Sequence, residues 1–132
     1  LAENIQPRAV VPVPLALNRI QQGGTDLTFC YRNDFHPNQT TAFLTANMFY
    51  AAFFNESTEG FAFDTVTENV SKDQPEGKDP DGGDATVVFE GEQKRFLQRM
   101  AYEAVREFDG SVKPASSSVP ADRDANKLTD AL

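Results

Sequence analysis

The clearest periodicity in the chain lies between about Glu92 and Phe108, where Phe96, Leu97, Met100, Ala101, Ala104, Val105 and Phe108 alternate spacings of one and three. That recurrence is the apolar stripe of an amphipathic helix. Lys94, Arg95, Gln98, Arg99, Glu103, Arg106 and Glu107 fall on its outer side, and Gly110 stands where a C-cap is expected. A period of two governs three other stretches. Leu27, Phe29 and Tyr31 alternate with Thr28, Cys30 and Arg32 after the turn signal Gln21-Gln22-Gly23-Gly24, predicting a half-buried strand. Phe61 and Phe63 alternate with Ala62 and Asp64 ahead of a Thr/Val-rich run to Val70, predicting a second strand. The β-branched run Ala85 to Phe89 predicts a third, closed by Glu90-Gly91-Glu92.

From Thr40 to Phe54 apolar residues cover more than one face of any regular element. Length and Ala, Leu and Met content favour a buried helix, with two shorter strands broken near Asn47 as the alternative. Asn33 to Asn38 and Ser71 to Asp84 read as loops, rich in Asn, Asp, Pro and Gly.

The ends of the chain differ from the middle. Pro7, Pro12 and Pro14 lie within eight residues, a density that argues against a helix and removes donors a central strand would need. An extended arm or edge strand is expected there. No basic start followed by a long apolar run marks a secretory leader. From Ser111 the chain turns to Ser, Pro, Ala and Asp with no aromatic residue, the composition of a flexible tail. The expected organisation is therefore a small single α+β domain at 25–110, with a few antiparallel strands and one or two packed helices. An extended proline-bearing arm at 1–24 precedes it, and a polar low-complexity tail at 111–132 follows.

Composition sharpens this picture. Of the 14 Phe and Tyr residues, ten lie between Phe29 and Phe63, which places the core there. Net charge is −8 over 132 residues, and the segment from Glu56 to Glu92 holds eleven acids against two lysines, so the excess is local. Such a balance disfavours nucleic acid as a partner. No apolar run approaches the roughly 20 residues of a membrane span. A single Cys excludes an internal disulfide framework and a multi-thiolate metal site.

Few residue sets carry chemistry. His36, the only His, has Asp34 nearby to orient it as a base, and Cys30 offers a thiol for a Cys–His pair. No nucleophile elbow accompanies them, and a surface turn His and a packed thiol are the plainer readings. Asp79, Asp81 and Asp84 in Asp79-Pro80-Asp81-Gly82-Gly83-Asp84 form a weak calcium candidate, since calcium takes several oxygens from a flexible loop. The EF-hand pattern fails there, because Asp84 occupies the sixth position that glycine must hold. Tight turns use the same residues. Asn38, Asn55 and Asn69 each begin an Asn-x-Ser/Thr triplet and are glycosylation candidates.

These observations support three expectations. The foremost is a non-enzymatic structural or accessory subunit of a larger protein assembly, with no cofactor. A virion or phage particle component such as a decoration, tail or connector protein is the specific form. Its arm would clasp neighbouring subunits, homo- or hetero-oligomeric, through Val10, Val11, Val13, Leu15 and Leu17. The acidic loop from Asp73 to Asp84 would face solvent or a basic partner patch. The alternative is a secreted or surface glycoprotein binding module, with calcium at the acidic loop. The third is a small enzyme using Cys30 or His36.

Overall fold

The structure, a computed structural model, describes residues 7–69 and 73–112, with side chains through 110. Its element order is α1 (Val13–Gln22), α2 (Gln39–Phe54), β1 (Thr65–Thr67), β2 (Thr86–Val88) and α3 (Gly91–Val112). The fold is a small α+β arrangement of three helices and a two-stranded antiparallel sheet. Helices α1 and α2 both pack against α3, and β1 lies against α2. The expected tail lies outside the described residues from 113 onward, and α3 continues through the two positions before it.

The first departure from expectation is α1. The arm was to be extended because of its prolines, yet Pro12 stands at the N-cap and Pro14 within the first turn. First-turn N–H groups have no helical acceptor in any case, so proline removes nothing there and pre-sets φ. Ala16 and Ile20 are buried on the core side of α1, with Val11, Val13 and Leu17 half-buried around them. Arg19, in the last turn, reaches Glu103 (3.2 Å) and Glu107 on α3. These pairs are exposed and contribute little, so apolar burial is what seats α1.

Thr25 to Tyr31 keeps the expected alternation, with Phe29 and Tyr31 buried and Thr28 and Cys30 exposed, but forms no strand. Its one ladder contact is a bridge between Cys30 and Pro37. The Tyr31 N–H donates to the His36 carbonyl (2.8 Å) and the Asn38 N–H to the Phe29 carbonyl (3.0 Å), closing a loop around Phe35 at φ 61°. A strand needs a neighbour to receive its backbone groups, and this segment meets only its own return.

α2 is the helix expected from composition. Asn38 caps it, accepting the Thr41 N–H (3.2 Å) while its own amide donates to the Thr28 carbonyl (2.9 Å). Phe43, Leu44, Met48 and Ala51 face the core, and Asn55 ends the helix in a left-handed conformation. Phe43 is the centre of an aromatic stack, 4.3 Å from Phe89 and 5.5 Å from Phe63 between ring centroids.

The sheet pairs Thr65 with Val88, Val66 with Val87 and Thr67 with Thr86. The second strand is shorter than expected because Ala85 to Phe89 can pair with only five residues, from Asp64 to Glu68. Upstream, the Phe61 N–H donates to the Thr58 carbonyl in a turn instead. Gly91, at φ 54°, turns the chain from β2 into α3, a backbone that strains other residues. At the far end α3 runs through Gly110 rather than being capped by it.

Candidate interaction surface

The apolar excess of α2 has a direct spatial consequence. A helix can press only one stripe into a core of this size, and Phe43, Leu44, Met48 and Ala51 occupy it. The remaining aromatics of the C-terminal half stand on the outside: Phe49, Phe53 and Phe54 are 48, 52 and 62% exposed. They are arranged in two columns of residues four apart. Phe49 and Phe53 stack with centroids 6.3 Å apart, and Tyr50 and Phe54 lie 4.7 Å apart. Phe61 adds its ring edge-on to Tyr50 at 4.8 Å. The rings thus hold one another in place while keeping much of their surface in water. Polar contacts border them: the Tyr50 hydroxyl donates to Glu56 (3.4 Å), Arg106 donates to the Asn55 side-chain oxygen (2.9 Å), and Arg99 pairs with Glu59 (3.4 Å). An aromatic centre with a polar rim is the composition of a protein interface. Covering the roughly half of each ring that is still exposed is worth about 1 kcal/mol.

A second feature adjoins this face through Phe61. A cleft of about 320 Å³ opens at the head of α3, lined by Phe61, Asp64, Phe89, Lys94, Arg95 and Gln98, among others. The sequence pattern puts Gln98 on the outer side of α3, whereas it is 1% exposed, one of the most buried side chains of the fold. The turn at Thr58 to Phe61 and the end of β2 close over that side of the helix, which the stripe alone did not foreshadow. Neither atom of the Gln98 amide has a hydrogen-bond partner among the described residues, and the same holds for the buried Thr58 hydroxyl.

Compared with known proteins, the chain matches no family model, no curated relative and no solved structure. Function must therefore be argued from these surfaces.

The residues singled out by sequence are dispersed. Asp34 and His36 do meet, Nδ1 to Oδ2 at 3.2 Å, and the His36 N–H donates to the same carboxylate (3.0 Å). The imidazole is 78% exposed on a cleft of about 590 Å³ shared with Tyr31, Glu68 and Asp73, and Cys30 does not line that cleft. Within the cleft the buried Tyr31 hydroxyl donates to Glu68 (2.9 Å). Burial raises the Tyr31 pKa, the hydrogen bond to Glu68 raises it further, and the negative charges of Glu68, Asp79 and Asp34 add to the effect.

Asp79, Asp81 and Asp84 of the acidic loop have separate tasks. Asp79 accepts the N–H groups of Asp81 (3.0 Å) and Gly83 (2.8 Å), folding the turn. Asp81 accepts the N–H groups of Arg32 and Asn33, both at 3.0 Å, and pins the loop to the Tyr31–His36 turn. Asp84 pairs with Lys78 (2.9 Å), whose ammonium holds the carboxyl below its ordinary pKa. Among the described residues no three His, Cys, Asp or Glu side chains gather to hold a metal ion. Asn38 is buried in its capping network, Asn55 is exposed, and Asn69 is exposed with the rest of its triplet outside the described residues.

Of the residues expected to clasp a neighbour, Val11, Val13 and Leu17 pack on this chain's own core. Leu15 is half-buried and Val10 exposed. The composition that signalled an arm signals a helix whose apolar side is already used. No helix among the described residues is long and apolar enough to cross a membrane.

Proposed function

We propose that this protein is a non-enzymatic structural or accessory subunit of a larger protein assembly, of the kind that builds virion or phage particles. A neighbouring subunit seats on the aromatic face of α2. The observation that carries this reading is the exposed set Phe49, Phe53, Phe54 and Phe61 around half-buried Tyr50, packed as the pair Phe49–Phe53 and as Tyr50 with Phe54 and Phe61. Scattered exposed apolar residues are ordinary on any protein, but a contiguous aromatic patch with a polar rim marks a contact surface. The acidic loop supports the same reading at a different place. Asp79 is spent on turn geometry, Asp81 on the Arg32 and Asn33 N–H groups and Asp84 on Lys78, so the loop serves as a shaped, negatively charged surface.

The test is the mass of the native particle by light scattering on a size-exclusion column, for the natural chain and for the triple variant Phe49→Ser, Phe53→Ser, Phe54→Ser. All three rings lie outside the core, so the variant should keep the helical circular dichroism of the parent. A native mass of several subunits that falls to the 14.6 kDa of one chain in the variant is the expected result. A natural chain that already runs at one subunit's mass, or an unchanged large mass in the variant, overturns the proposal.

A further inference from the structure

Helix α2 carries no charged residue, and its outward side repeats as a seam. Ala42, Ala46, Phe49 and Phe53 follow one another at spacings of four, three and four, and all four are exposed. That is the spacing by which one helix packs along another. Phe43, Leu44, Met48 and Ala51 hold the opposite side of α2 against the core, so the seam faces solvent.

The order of sizes along the seam decides what fits it. Its first two side chains are methyl groups and its last two are rings. A parallel copy would set ring against ring at one end and leave a gap between alanines at the other. An antiparallel copy sets Phe49 over Ala46 and Phe53 over Ala42, so each large side chain meets a small one, as close packing requires. Positions 46 and 49, and likewise 42 and 53, lie symmetrically about one midpoint. Both contacts therefore form twice around a two-fold axis, the arrangement in which residue i meets j and j meets i.

Charge and area agree with a second copy. The rim holds Glu56 and Glu59 with Arg99 and Arg106, two of each sign, so two identical rims meet without net repulsion although the whole chain carries −8. A strongly charged partner finds no field to complement there. At about 200 Å² a residue, the exposed halves of Phe49, Phe53, Phe54 and Phe61 offer roughly 400 Å², half of the ~800 Å² that each partner gives to a standard interface. Ala42, Ala46, Tyr50 and the polar rim extend that centre.

We propose that the neighbour on the aromatic face is a second copy of this chain, its α2 antiparallel to the first and paired Ala46 to Phe49 and Ala42 to Phe53 about a two-fold axis. This pairing rests on the assembly reading and gives the neighbour its identity.

The experiment exchanges size across the axis. Native mass is measured by light scattering for the natural chain, Ala46→Phe, and the double variant Ala46→Phe with Phe49→Ala, each checked for helical circular dichroism. The natural chain should run at two copies, twice the 14.6 kDa of one chain, which is where a two-fold contact closes. Ala46→Phe sets ring against ring and should fall to one copy. The double variant should return to two, because the exchanged positions face one another. Orientation is read separately in a Cys30→Ser background, which removes the natural thiol. Chains bearing Ala42→Cys and Phe53→Cys are mixed and oxidised with copper phenanthroline. Antiparallel pairing gives the mixed disulfide, whereas like positions stand about 16 Å apart along the helices and cannot join. A natural chain of one subunit's mass overturns the pairing together with the assembly reading. A particle that the triple serine variant dissolves and Ala46→Phe leaves intact, a folded double variant that stays at one copy, or disulfides between like positions overturns the pairing alone and leaves the face to a different neighbour.

Discussion

Tyr31 shows how a single residue couples the loops to the core. Its ring is buried beside Phe29 in an extended segment, while its hydroxyl reaches Glu68 just beyond β1. Burial first, then the Glu68 hydrogen bond and the surrounding acids, keep the phenol protonated in the folded chain at pH values where an unfolded one ionises. The folded state therefore holds this proton more tightly than the unfolded state. The associated stability is complete below about pH 10 and is lost progressively as the pH rises above that unfolded value. Urea unfolding between about pH 9 and 11 should show a falling midpoint in the natural chain and a shallower fall in Tyr31→Phe, which has no proton to lose. Equal slopes would place the alkaline sensitivity elsewhere. The burial of Tyr31 was legible from the period-two pattern. Its partner was not, because Glu68 is 37 positions away and nothing local marks it. Gln98 was misread for a related reason: a helical stripe shows which side is apolar, not how far neighbouring turns extend over the helix edge.

At the scale of elements, the two longer helices, the strand at Ala85 to Phe89 and the Thr/Val run that holds β1 were legible, while α1 and the unpaired stretches were not. α3 follows from its stripe, and α2 from its length and its Ala, Leu and Met content. The strand at Leu27 to Tyr31 failed because alternation reports burial, whereas a strand also requires a hydrogen-bonding neighbour, and at Phe61 to Phe63 the alternation reports neither, since both rings are exposed. Among the described residues only Asp64 to Glu68 and Ala85 to Phe89 find one another as strands. Gly110 is the clearest local correction. It lies inside α3 without a positive φ, and a Cβ there meets nothing within 4 Å. Gly110→Ala should stabilise the protein by about 0.5–1 kcal/mol, since alanine loses less backbone freedom on entering a helix. Chemical denaturation checks this. A left-handed C-cap at Gly110 would make the same substitution destabilising.

For the whole molecule, the placement of α1 decides where an assembly surface can lie. An arm that waits for a neighbour can be removed without harm to its own domain. A helix with Ala16 and Ile20 buried against α3 cannot. Deleting residues 1–17 removes the first half of α1 and strips Ile20 of its helical support, so unfolding in urea should weaken by at least about 2 kcal/mol. A truncated chain as stable as the full one would return this segment to the role of a detachable clasp. With α1 committed inward, the partner surface we propose is the aromatic face of α2, on the element that also supplies Phe43 to the core.

The sequence by itself determined the α+β class, the two main helices and the acidic loop, since each follows from local periodicity or composition. The core expected between Phe29 and Phe63 instead draws as much on α1, Phe89 and α3, and leaves six of the ten aromatics of that segment exposed. Tertiary structure decided the rest. It turned the proline-bearing segment into a core helix, because prolines in a first turn cost no hydrogen bond and Ala16 and Ile20 found a face of α3 to cover. It divided an apolar-rich helix into a buried stripe and an exposed aromatic face, and it covered Gln98. These outcomes depend on which distant surfaces meet. Hydrophobic burial is non-directional, so a pattern of apolar residues states how much surface must be covered and leaves the covering partner to the fold.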